Sequence, residues 1–178
     1  MSASRHDAAK AHGHARRPEQ VIFFAVSGQS FAIAADAVKE IRSTDSLAGS
    51  AIEFESPEIP KIRHIVERAH RPYYVVNGCD HFHMPVARPS LALVLRHFRV
   101  ALLVDSVERI CEIPAVYPLP LAFSGEERVW YRGLAYVEDR VSPVIDPAGF
   151  LSREQLHHLD QLAARTNLLE HADGVVSA

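Results

Sequence analysis

Ile22-Phe23-Phe24-Ala25-Val26, followed by Phe31 to Ile41, returns 69 residues later as Leu91 to Leu95 and Val100 to Ile110. Within the second block Ala32/Ala101, Asp36/Asp105, Val38/Val107 and Ile41/Ile110 are identical. The same offset, without a gap, lays Ile62 to Asn77 on Tyr131 to Asp146, where Arg63/Arg132, Arg71/Arg140 and Val75/Val144 are identical and Asn77 meets Asp146. Alternating apolar strands match one another cheaply, but polar matches also hold this register. Three blocks in one register point to two copies of one folding unit packed as a pseudo-dimer within the chain.

Each unit reads as short strands. Val21 to Val26 and Phe31 to Ala34 form a hairpin around Ser27-Gly28, with Gly28 free to take a positive φ. Leu91 to Leu95 and Val100 to Val104 are near-continuous apolar runs, which predicts strands covered on both faces. Ile62 to Val66 with Tyr73 to Val76, and Trp130 to Val137 with Arg140 to Ile145, supply two further pairs. Asp36 and Asp105 recur at equivalent places and are expected to cap turns, with Ala37 to Glu40 as the first such turn. Ile41 and Ile110 are expected in the core. Ser43 to Pro60 reads as a connection that carries at most a short strand. Pro114 to Gly125 reads as a loop, Asn77-Gly78 as a turn and Arg132-Gly133 as a structural turn. Ser152 followed by Gln155 is a capping-box signature ahead of a leucine-bearing helix. The fold expected is mainly β: two small β-barrels related by a pseudo-twofold, with an apolar seam between them and a C-terminal helix.

Composition narrows the function. The 178 residues are 48% apolar and 23% charged, ordinary for a globular protein, and long enough to bury a sizeable core. The formal charge of −3 disfavours a phosphate-binding surface, hence nucleic acid. Cys79 and Cys111 are too few for a disulfide framework. No apolar run reaches membrane-spanning length, and Met1 to Gln20 lacks the apolar stretch of a secretory signal. A cytoplasmic protein with no membrane insertion is expected. The expected organisation is a disordered tail over 1–20, a paired β domain over 21–151, a helix over 152–170 and a frayed end over 171–178.

Little in the chain suggests a reaction centre. There is no G-x-S-x-G elbow, phosphate loop or G-x-G-x-x-G. Cys79-x-His81-x-His83 is the one cluster with metal-compatible side chains, which would share a face on an extended chain. A zinc site normally takes four ligands, and no partner motif is visible, so a metal-binding protein is the lesser alternative. No catalytic residue, metal or cofactor is assigned.

The run Phe24-x-Val26-x-Gly28-x-x-Phe31-Ala32-Ile33, then Val38-Lys39-Glu40-Ile41, resembles the start of a CheW-like domain. So does Val100 to Val107. Tyr131-Arg132-Gly133-Leu134-Ala135 with Val144-Ile145-Asp146 resembles that family's closing signature, and Phe150-Leu151-Ser152-x-Glu154 is similar to the helix of chemotaxis coupling proteins. The resemblance covers about Val21 to Ala164. It implies two SH3-like β-subdomains and a non-enzymatic adaptor. Such an adaptor couples the cytoplasmic tip of a chemoreceptor to the regulatory domain of a CheA-like histidine kinase in two-component signalling. It also implies partner contacts around Val38, Glu40 and Ile41. The family's first-subdomain signature, G-V-x-N-L-R-G, falls on His64 to His70, where both glycines and the arginine are lost. The arginine, implicated in partner contacts, is Ala69 here, and the last glycine is His70. Arg68, one position earlier, would face the other way on a strand. A divergent adaptor with a partner other than a kinase is therefore the alternative. Val38, Glu40, Arg63, His64, Ala69 and His70 are the candidate partner-binding residues. Gly28, Asp36, Asp105, Arg132, Gly133 and Asp146 are the candidate structural ones.

Overall fold

A computed structural model describes residues 18–48, 51–54, 56–68 and 70–173, with side chains described as far as Arg165. Residues 1–17 of the expected tail, Ala69, and 174–178 lie outside the described residues. Among the described residues, eleven strands form two sheets. The first half supplies β1 (Glu19–Val26), β2 (Gln29–Ala34), β3 (Val38–Ser43), β4 (Ala51–Glu53), β5 (Ile62–Arg68) and β6 (Arg71–Asn77). The second half supplies β7 (Leu91–Leu95), β8 (Val100–Val104), β9 (Ser106–Ile113), β10 (Tyr131–Val137) and β11 (Arg140–Ile145). Three α-helices accompany them: α1 (Thr44–Ala48), α2 (Gly78–His81) and α3 (Arg153–Asp173).

The sheet orders are β10-β11-β2-β1-β9 and β3-β7-β8-β6-β5-β4. Under the 69-residue offset these are one order written twice, with β4 added. Each sheet takes its central hairpin from one repeat and its flanking strands from the other. Equivalent pairings confirm the relation: β11 runs parallel to β2 at Val144↔Ala32, and β6 runs parallel to β8 at Val75↔Ala101. Both β5 and β10 slip register across an arginine, Arg63 in one and Arg132 in the other. Both β3 and β9 slip across the residue after the shared valine, Lys39 and Glu108. Bulges recur at the same points because they bend each strand around its own barrel.

The repeats are thus interlocked, and neither can form its sheet without strands from the other. Each sheet gathers a small core on one face: Val21, Phe23, Ala32, Ala135 and Val144 in one, and Val66, Val75, Ala92 and Ala101 in the other. The opposite faces meet in the largest core, where Phe24, Ile33 and Ile145 pack with Leu93, Leu95 and Leu102. Burying each such side chain contributes roughly 1.5–3 kcal/mol, so this seam holds the halves together as expected.

Local chemistry sets the corners. Ser27 and Gly28 both take positive φ (49° and 75°), the turn that suits a tight hairpin. Asp105 does not cap its own turn. Its carboxylate accepts the Gly28 amide at 3.2 Å, pinning the first repeat's hairpin to the second repeat. Asp36 makes no capping bond, and the segment expected as a turn is split. Ala35 to Ala37 form one 3-10 turn, and Val38 already begins a strand. Asn77 and Asp146, equivalent by the repeat, each cap the next turn by accepting the amide two residues on, from Cys79 and Ala148. Asn77-Gly78 therefore opens a short helix rather than a simple turn. Arg132-Gly133 lies within β10, not in a turn. Gly133 is required there because a Cβ would stand 2.3 Å from the Tyr117 carbonyl oxygen.

The capping box forms as expected: the Gln155 amide donates to the Ser152 hydroxyl, and the Ser152 amide donates to Gln155 Oε1. Helix α3 then buries Leu159 and Ala163 in the seam core. Asp160 fastens it, accepting both Arg99 guanidinium nitrogens at 2.7 Å and the Tyr74 hydroxyl at 2.5 Å. No helix among the described residues is long and apolar enough to cross a membrane.

Candidate docking site on the β3 edge

Among the described residues β3 pairs only with β7, so its other side is a sheet edge. Its alternation places Val38 inward, 6% exposed and packed in the seam core. The bulge at Lys39 returns Ile41 to the face of Val38, opposite Leu93 where Val38 is opposite Leu95, but at the open edge Ile41 is 38% exposed. The second repeat repeats this on β9, where Val107 is half-buried and Ile110 is 54% exposed. The expected core roles of Ile41 and Ile110 are thus overturned by their exposure on the edge strands β3 and β9. The apolar contact expected from Val38 is available instead from Ile41.

Glu40 is not a solvated carboxylate. It forms an ion pair with Arg68 at the end of β5, bridging strands that are not neighbours in the sheet. Arg68 thus reaches the same surface as Glu40, because β5 ends there and the side chain is long enough to cross the sheet's open edge. His70 sits in the tight turn that follows, at φ 59°. Asp139, its counterpart in the β10–β11 turn, has φ 62°. The position usually held by glycine keeps a left-handed backbone here with a histidine in it. Its side chain is fully exposed, 3.7 Å from Glu67.

Arg63 and His64 do not join that group. Arg63 is exposed at its bulge and lies 3.4 Å from Asp80 of α2. It borders a cleft of about 980 Å3 with Lys61, His81, Trp130 and Gln155. His64 is half-buried, paired to Val75 on one side and Glu53 on the other. The sequence candidates therefore divide between the β3–β5 edge and the seam near α2.

The histidine cluster does not form a metal centre. Among the described residues no group of three His, Cys, Asp or Glu is placed to hold an ion. The expectation rested on an extended chain, but Gly78 to His81 are helical, so alternate residues diverge. Cys79 points into the seam core. His81 is 2% exposed and lies against Trp130, Phe150 and Phe82, with ring centroids 4.8 to 4.9 Å apart. Burial first, then the nearby Lys61 ammonium and His83, push its pKa down to about 3, so the ring is neutral. Lys61 lies 3.3 Å from His81 Nδ1 and donates to the Phe150 carbonyl at 2.5 Å, and burial lowers its own pKa. These groups tie α2 to the chain entering α3.

What faces outward is strand edges, exposed isoleucines at equivalent points of two barrels, and ion pairs that close each barrel. The chain belongs to the CheW-like domain family, whose model matches residues 20–155. Its fold is similar to the crystal structure of the scaffolding protein TtCheW from Thermoanaerobacter tengcongensis. The TM-score is 0.60 at 17% identity, over 72% of this chain and 89% of that one. No curated protein matches the chain.

Proposed function

We propose that this protein is a non-enzymatic signalling adaptor that couples a chemoreceptor's cytoplasmic tip to the regulatory domain of a histidine kinase. Membership of the CheW-like family across both interlocked barrels carries this reading. Its mechanism is assembly: no bond is made or broken, and the interlocked core holds two docking edges at a fixed spacing. An apolar anchor beside an oriented charge is the arrangement expected of an interface hot spot. Here Ile41 supplies the anchor, and Glu40, oriented by Arg68, supplies the charge. His70 borders that edge, while Arg63 and His64 would serve a second contact at the seam. The two-component kinase and receptor of the same cell are the partners to test.

Isothermal titration of the full chain with a purified kinase regulatory domain, and separately with a receptor tip, decides the matter. Saturable binding to either, weakened by Ile41→Asp at an unchanged melting temperature, supports the reading. Binding to neither removes it.

A further inference from the structure

The pseudo-twofold equates two hairpin faces that are treated differently. In one barrel the outer face of β5–β6 presents Ile65, Glu67, Pro72 and Tyr74. Helix α3 lies over it: Asp160 binds Arg99 and Tyr74, and Ala163 and Ala164 border a groove with Ile65 and Pro72. The equivalent residues of β10–β11 are Leu134, Tyr136, Val141 and Pro143. Cross-strand pairing of Leu134 with Pro143 and Tyr136 with Val141 puts all four on one face. Leu134 is itself buried beside the Tyr117 strap, and no equivalent of the α3 clamp is seen on this face among the described residues. Tyr136 and Val141 are 49% and 52% exposed.

The uncovered face is the more apolar of the two. Where the covered barrel has Glu67 and Pro72, the open one has Tyr136 and Val141. Tyr117 adds a second exposed ring, edge-on to Tyr136 at 4.8 Å. A face left to solvent has no need of such residues, and clustered exposed apolar side chains mark contact surfaces. Beside them runs a groove of about 440 Å3 lined by Ser30, Phe31, Tyr131, Arg140, Val141 and Pro143. Arg140 has no ion pair or hydrogen bond among the described residues. On the covered face the basic group, Arg99, meets an acid on the helix.

We propose that the outer face of β10–β11, with the groove beside it, docks an amphipathic helix of a protein partner that places an acidic side chain against Arg140. The chain's own α3 is not the occupant. It is anchored through Arg99 and Tyr74, and the equivalents of those residues here are Ser30 and Pro143, which offer no cation and no phenol. The proposal adds a surface distinct from the β3 edge and stands whether or not that edge binds a kinase.

The probe is a synthetic helical peptide of about 18 residues, with leucines at i, i+3, i+4 and i+7 and a flanking glutamate. It is titrated into the isotope-labelled full chain and followed by NMR. The expected result is amide shifts confined to Tyr131, Tyr136, Arg140 and Val141. Affinity falls about fivefold in Arg140→Glu and recovers when the peptide's glutamate becomes lysine. Val141→Glu abolishes binding while leaving the melting temperature unchanged. Shifts elsewhere, no shifts, or an affinity indifferent to the charge reversal overturns the proposal. So does concentration-dependent dimerisation that Val141→Glu abolishes, since the face would then belong to a second copy.

Discussion

Glu40 and Arg109 occupy the same position in the two repeats and carry opposite charges, and each closes its own barrel with an ion pair of reversed polarity. Glu40 on β3 meets Arg68 of β5, and Arg109 on β9 meets Glu138 of the β10–β11 turn at 3.0 Å. Arg109 also lies over the Phe23 ring at 5.0 Å. The charges of the two closures are thus exchanged between the repeats.

Glu40→Arg sets two guanidinium groups against each other. The melting temperature is expected to fall by about 2–4 °C, corresponding to roughly 1 kcal/mol in a chain of this size. Arg68→Glu in the same protein restores it. A double-mutant cycle by thermal denaturation measures the coupling, and strictly additive effects would show that the pair contributes nothing.

Asp160 holds α3 to the barrel. Burial alone would raise its pKa, but hydrogen bonds from Arg99 and Tyr74 outweigh this and hold it below the usual carboxylate value. A depressed folded pKa contributes stability that is present above the unfolded value of about 3.9 and lost as pH falls through the folded one. The clamp is therefore intact at neutral pH and releases only in strong acid. Asp160→Asn is expected to cost about 1–2 kcal/mol, discounted for partial exposure, and to speed amide exchange in α3 before the sheets. Uniform exchange across the chain would contradict the clamp.

His81 sets a second pH window. The unfolded ring takes a proton near about 6.5, whereas the buried ring resists until about 3. The unfolded state thus binds more protons between those values, and stability declines as pH falls from about 6.5 towards 3. His81→Phe keeps the ring among Trp130, Phe150 and Phe82 and removes the titration. Its melting temperature should fall less than the wild type's between neutrality and mild acid. Parallel curves would place the pH sensitivity elsewhere.

Gly133 admits the Tyr117 backbone, which exchanges both hydrogen bonds with Leu134 at 2.8 Å. Gly133→Ala is expected to cost about 1–3 kcal/mol and to release that strap, exposing Leu134. Circular dichroism melts and proteolysis between Pro114 and Gly125 report both effects.

The repeat was legible because strand pairs, bulge arginines and turn caps recur at one offset. The capping box at Ser152 and Gln155 was legible because both of its bonds are local. The exchange of strands between repeats was not, since local alternation says nothing about which copy of β3 pairs with which hairpin. Ile41 and Ile110 misled because identity suggested core; a bulge keeps each on the face of its repeat's valine, Val38 or Val107, but both lie on edge strands where that face is left open. Cys79, His81 and His83 misled because their alternation assumed an extended chain, whereas Asn77 caps a helix at that point. The short strand allowed between Ser43 and Pro60 is β4, whereas α1 was hidden in that weakly periodic stretch.

The central claim is that this chain acts by docking through an edge that Ile41 presents. Calorimetric titration of the full chain into a kinase regulatory domain tests it most directly. Saturable binding is expected, weakened by Ile41→Asp while the melting temperature holds. Equal binding by the wild type and the variant, or no binding to either the kinase domain or a receptor tip, would contradict it.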